Sequence, residues 1–158
     1  MPRGTAREII DALSLIPLPH EGGFFRQTWR SESSSAILFL LTPVDFSALH
    51  QLDREEVWHF HGGKPVEHVQ LDPGSGAVRV SRLGADITAG DQPQLIVPAG
   101  VWQGARLVRQ SIGAVTDYSL LGCTVSPPWD ERGFTLGDRE TLIQAFPVAH
   151  DLIRDLTR

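Results

Sequence analysis

Short apolar runs, broken every few residues by glycine and proline, constrain this chain more than any other feature. Ala36-Ile-Leu-Phe-Leu-Leu41 is apolar throughout and bounded by serines and Pro43, which predicts a fully buried strand. Val66–Leu71 and Ala77–Leu83 flank Asp72-Pro-Gly-Ser-Gly76, a turn sequence that predicts a hairpin. Gln94–Val97 runs into Pro98-Ala-Gly100, Val101–Val108 follows, and Tyr118–Val125 is the last strong strand. Upstream, the pair Gly22-Gly23 precedes an alternating strand whose pattern falters at Phe25, Thr28 and Trp29. Strands this short bury their apolar faces only by stacking two sheets or closing one. An all-β sandwich or barrel is therefore expected.

Helices are confined to the two ends. Thr5-Ala-Arg-Glu8 has the form of a capping box, and Ile9, Ile10 and Leu13 follow at helical spacing. A short helix is predicted from about Ala6 to Leu15, stopped by Pro17 and Pro19. Asp138 can cap a second helix reaching about Ala145. Pro147 can open a third, with Val148, Leu152 and Leu156 on one face. No repeat or linker divides the chain, so residues 1–158 read as a single domain.

The net charge of -5 argues against nucleic acid as a partner, because phosphate binding needs a concentrated basic surface. Cys123 is the only cysteine, which excludes a disulfide framework and a multi-cysteine zinc site. It lies in an apolar run and reads as a small buried hydrophobe. No signal peptide and no apolar run of membrane-spanning length is evident. The expected location is the cytoplasm, with no membrane partner.

Chemistry concentrates in His50-Gln-Leu-Asp-Arg-Glu-Glu-Val-Trp-His-Phe-His-Gly-Gly63. A strand sends alternate side chains to opposite faces, so His59 and His61 are expected to point the same way. His50, on a neighbouring strand, is expected to converge on them. By alternation Glu55 shares a face with His59 and His61, and Glu56 shares one with Trp58 and Phe60. Alternation alone does not say which face is inside. His68 and His150 read as surface residues.

With these residues in view, the chain resembles the small one-domain cupins of the DUF985, or cupin-5, family. The motifs that carry the likeness are His20-Glu-Gly-Gly-Phe-Phe-Arg26, Ala36 to Pro43, and His50 with Glu56-Val-Trp-His-Phe-His-Gly-Gly63. Val97-Pro-Ala-Gly-Val-Trp-Gln103 and Gly122-Cys-Thr-Val-Ser-Pro127 complete the set. The resemblance implies a double-stranded β-helix, the cupin jelly-roll barrel, with a pocket at the barrel mouth. It also implies a homodimer and favours Glu56 as the pocket glutamate. The sequence departs from the metal-binding cupin pattern. Ala48 stands where a first histidine would be, and Gln103 where the second motif has its histidine. A divalent metal, if bound, would rest on His50, Glu56 and Gln103, with His59 or His61 available only on another geometry. No cofactor is expected otherwise.

Three classes of function follow. The first is a metal-independent isomerase or epimerase, with His50 or His59 as general base, Glu56 or Glu55 orienting it, and Tyr118 or water as acid. The second is a metal-dependent dioxygenase, decarboxylase or isomerase. The third is a binding module without turnover. In each the partner is a small polar ligand, sugar-like or carboxylate. Phe24, Arg26, Trp58, His61, Trp102 and Gln103 are the candidate substrate contacts. Arg26 suits a carboxylate or phosphate, and Trp102 suits stacking on a flat or sugar-like ring.

Overall fold

The computed structural model describes residues 3–158. The chain opens with helix α1 (Ala6–Leu13), and Thr5 and Glu8 form the reciprocal capping box expected of them. The helix stops two residues earlier than the prolines require, at Ser14. That residue adopts a left-handed φ of 54° and returns its N–H to the last turn. Pro17 then lies in a two-residue strand, β1 (Ile16–Pro17), at a sheet edge where its missing N–H costs nothing.

Ten further strands follow: β2 (Phe24–Arg30), β3 (Ser35–Leu41), β4 (Ser47–Leu52), β5 (Glu55–Gly63) and β6 (Val66–Leu71), then β7 (Val78–Leu83), β8 (Gln94–Val97), β9 (Trp102–Leu107), β10 (Ser119–Ser126) and β11 (Phe134–Leu136). They form two antiparallel sheets, ordered β1-β2-β3-β10-β5-β8 and β11-β4-β9-β6-β7. Consecutive strands such as β3 and β4, or β4 and β5, cross from one sheet to the other. This is the jelly-roll arrangement, and it buries one face of each sheet against the other. Helices α2 (Arg139–Ala145), capped by Asp138, and α3 (His150–Asp155) end the chain.

Three apolar clusters hold these parts together. The space between the sheets is filled by Phe39, Leu41, Trp58, Val66, Leu83, Ala105, Leu107 and Leu121 among others. Helix α1 covers the outer face of the six-stranded sheet, where Ile9, Ile10 and Leu13 meet Leu38, Leu40, Tyr118 and Leu120. Helices α2 and α3 cover the outer face of the five-stranded sheet with Leu142, Phe146, Ile153 and Leu156 against Leu49, Val69 and Leu71. Each fully buried aliphatic side chain of this kind is worth about 1.5–3 kcal/mol. With both outer faces partly covered by helices, the space between the sheets holds an apolar core and a cavity. Among the described residues no helix is long and apolar enough to cross a membrane.

Candidate functional site

A cavity of about 410 Å³ opens between the sheets at one end of the barrel. Strand β2 contributes Phe25 and Gln27, β3 contributes Ser35, Ile37 and Phe39, and β10 contributes Cys123 and Val125. His50 and Leu52 of β4 and Phe134 of β11 form the opposite wall, and Glu56 of β5 lies at the inner end. The alternation of each strand selects these residues: every second side chain faces inward.

The rim is built by the turn after β1. Gly23 has φ 75°, and a side chain there would strike Phe39 and Leu41. Its N–H is held by the Asp45 carboxylate at 2.9 Å. Arg158, near the C-terminus, donates to the carbonyl oxygen of Glu21 at 2.7 Å and to Asp45 at 2.7 Å. The turn so braced places the Glu21 side chain over the cavity, where its Oε1 accepts from the buried Ser47 hydroxyl at 2.7 Å.

His50 is 2% exposed, and its Nδ1 lies 2.8 Å from the carbonyl oxygen of Ala48. A carbonyl can only accept, so Nδ1 carries a proton and the neutral ring keeps its lone pair on Nε2. Nε2 faces Glu21, with Oε1 at 3.8 Å. The ring stacks on Phe134 at 5.4 Å between centroids, which fixes its plane.

Glu56 is 6% exposed. Burial pushes its carboxyl up to about 7, and the Glu21 carboxylate adds to this, while His50 and the Gln103 amide oppose it. The carboxyl therefore exchanges its proton near neutrality. Gln103 donates Nε2 to Glu56 Oε2 at 2.7 Å, and its oxygen accepts from the Trp58 indole at 2.8 Å. Cys123 lines the same wall. Burial, then the carboxyls of Glu56 and Glu21, push its thiol well up and keep it neutral.

The metal set implied by the resemblance does not fit this arrangement. The Gln103 oxygen is already taken by a buried indole N–H, and its nitrogen faces Glu56. Turning the amide over to offer oxygen to a metal would leave Trp58 without an acceptor. Among the described residues no group of three or more His, Cys, Asp or Glu side chains is arranged to hold a metal ion.

The structure brings together only part of the sequence-derived set. His50 and Glu56 reach the cavity, and Trp58 and Gln103 form its buried support. His59 and His61 do not converge with His50. Strand β4 lies in the opposite sheet from β5, and Glu55, Val57, His59 and His61 occupy the outer face. There His59 bonds Thr124 and Gln94, each at 3.1 Å, and His61 falls in a bulge opposite Leu120 and Leu121. Phe24 and Tyr118 pack beneath α1, Trp102 packs beneath the C-terminal helices, and Arg26 is exposed on the outer face of β2. None of these four lines the cavity. His68 is not a surface residue. It is fully buried edge-on to Trp58, and desolvation drives its ring down to about 3, so it is neutral.

Several cavity residues escaped the sequence reading: Glu21, Phe25, Gln27, Trp129 and Phe134. A signal existed for two of them. In a strand, Phe24 and Arg26 share one face, and the same alternation defines Phe25 and Gln27 as the other. Glu56 also had an unused signal: Trp58 and Phe60 make its face of β5 the more apolar one.

Comparison with known proteins agrees with this architecture. No curated protein matches the chain. A crystal structure of a protein from Shewanella oneidensis superposes with a TM-score of 0.88 at 32% identity, over 99% of each chain. A hypothetical protein from Leishmania major gives 0.89 at 28% identity, over 98% of this chain and 99% of that one. Oxalate decarboxylase from Bacillus subtilis shares the fold at a TM-score of 0.60 and 13% identity. That match covers 91% of this chain and 37% of the decarboxylase. The family described as "Cupin superfamily (DUF985)" matches residues 7–137. The chain belongs to that family.

Proposed function

We propose that the cavity binds a small polar molecule and that His50 and Glu56 move a proton on it, in the manner of a metal-independent isomerase or epimerase. The observation that carries this reading is the His50–Ala48 hydrogen bond, which leaves the Nε2 lone pair toward the cavity. His50 Nε2 takes a proton from a carbon next to a carbonyl. Glu56, protonated at neutral pH for part of the time, gives a proton to the carbonyl oxygen as negative charge develops there. With a hydroxyl on the deprotonated carbon the product is an enediol. The first proton returns from His50 to either carbon, or to either face, while the hydroxyl on the carbon that becomes the carbonyl gives its proton back to Glu56, which completes an isomerisation or an epimerisation and restores both residues. The Glu21 carboxylate lies on the same side of the ring, with Oε1 3.8 Å from Nε2.

The test is solvent exchange in D2O with chelator-treated protein. Glyceraldehyde, dihydroxyacetone, glucose and fructose are the probes, and carbon-bound deuterium is read by NMR. Incorporation that survives chelation and falls at least about 100-fold in His50→Gln is the expected result. Incorporation that needs added metal, or that is unchanged in His50→Gln, removes the proposal. Binding without any incorporation would make the protein a binding module.

A further inference from the structure

The charges around the cavity narrow the ligand class. Glu21, Glu56 and Glu131 line it, and no lysine or arginine does. The guanidinium groups nearby are engaged elsewhere. Arg30 donates to the Trp129 carbonyl oxygen at 2.8 Å, Arg54 and Arg132 pair with Asp53 and Asp130, and Arg158 is held by Asp45. A carboxylate or phosphate entering here would meet only the rings of His20 and His50 as possible cationic partners, and the Nε2 of His50 already faces Glu21. Carboxylates within low-dielectric walls concentrate a negative potential, which repels anions and attracts cations.

A second observation is independent of charge. Trp129, Phe134 and His50 descend from rim to interior as a wall of rings. Trp129 and Phe134 are 6.3 Å apart, and Phe134 and His50 are 5.4 Å apart. Trp129 is 41% exposed and His50 2%, so the wall runs from solvent to the buried end. Faces of tryptophan and phenylalanine hold cations by their quadrupoles at about 6 Å or less.

We infer that the natural ligand is a small cationic amine, its ammonium drawn to Glu21 and Glu56 and its body resting on Trp129 and Phe134. This rests on the same cavity being the binding site. Combined with the proton-transfer chemistry, it makes an amine-bearing carbonyl compound the substrate class. The ionisation of Glu56 bears on affinity. His50 on β4, Glu21 on the rim turn, Cys123 on β10 and Gln103 on β9 face it, and of these only Glu21 adds negative charge. An ammonium group beside Glu56 favours its carboxylate form, so amine affinity rises with pH across neutrality.

The test uses three ring compounds of nearly equal size and different charge: cyclohexylamine, cyclohexanol and cyclohexanecarboxylate. Each is titrated calorimetrically into the full-length protein at about pH 8. The amine is expected to bind at least about tenfold tighter than the alcohol, a difference of about 1.4 kcal/mol, and the carboxylate weakest of all. Glu21→Gln, which can still accept from Ser47, and Glu56→Gln, which can still accept from Gln103, should each narrow the amine preference. Trp129→Ala, at an exposed position, should weaken the amine more than the alcohol. Absence of amine binding, a carboxylate that binds as tightly as the amine, or a preference that survives both glutamine variants would overturn the inference. Deuterium incorporation plays no part in this measurement. An amine preference without incorporation therefore removes the catalytic reading alone, and incorporation without an amine preference removes this one alone.

Discussion

The indole N–H of Trp58 donates to the side-chain oxygen of Gln103 at 2.8 Å, and this bond decides which end of the amide faces Glu56. The two residues come from opposite sheets, β5 and β9, and each is 1% exposed. The bond therefore ties the sheets across the interior and orients the amide N–H that Glu56 accepts at 2.7 Å.

Trp58→Phe keeps a ring edge-on to Phe39 but removes the donor. The buried oxygen of Gln103 is left unpaired, at a cost of about 1–3 kcal/mol. Urea unfolding of the variant is expected to show that loss. A change below about 0.5 kcal/mol would mean that the amide turns over freely and that its orientation is not set by Trp58.

Glu56 should make stability fall as pH rises. Its carboxyl is held at about 7 in the folded protein, against 4.5 as the ordinary value. Below the lower value both states are protonated and the group contributes no difference. Between the two values the unfolded chain releases the proton while the folded protein keeps it, so unfolding becomes easier with increasing pH. Above the upper value the full cost is present, on the order of 3 kcal/mol. Glu56→Gln abolishes the titration and keeps an acceptor for Gln103. Compared by urea unfolding at about pH 5 and about pH 8, the variant should gain on the wild type at the higher pH. Parallel curves for the two proteins would show that burial does not hold this proton.

His59→Ala separates the two faces of β5. The ring is outside the cavity, with its partners Thr124 and Gln94 on neighbouring strands. The variant is expected to stay within about 0.5 kcal/mol of the wild type. It should also keep the amine preference and the deuterium incorporation that His50→Gln loses. Loss of either property in His59→Ala would place the functional face on the wrong side of the strand.

Much of the architecture is legible residue by residue. Thr5 and Glu8 start a helix, Asp72-Pro-Gly-Ser-Gly76 turns a hairpin, and Asp138 caps another helix by accepting the Thr141 N–H at 2.9 Å. These signals act over four or five residues, so they hold wherever the segment lies. His50 and Glu56 are legible too, through the motif that carries the family resemblance.

Orientation is different in kind. The sequence by itself determined that Glu55, Val57, His59 and His61 share one face of β5, and that Glu56, Trp58 and Phe60 share the other. Only the tertiary structure decided which face is inside, because strand periodicity is symmetric between the two. The asymmetry comes from packing: Trp58 is buried between Phe39 and His68, whereas His59 is half-buried and His61 exposed. The same reason moves the aromatic contacts from Phe24 and Trp102 to Phe25, Trp129 and Phe134. It also joins Glu21 to His50 across 29 positions of sequence, a pairing created when the rim turn is pinned by Asp45 and Arg158.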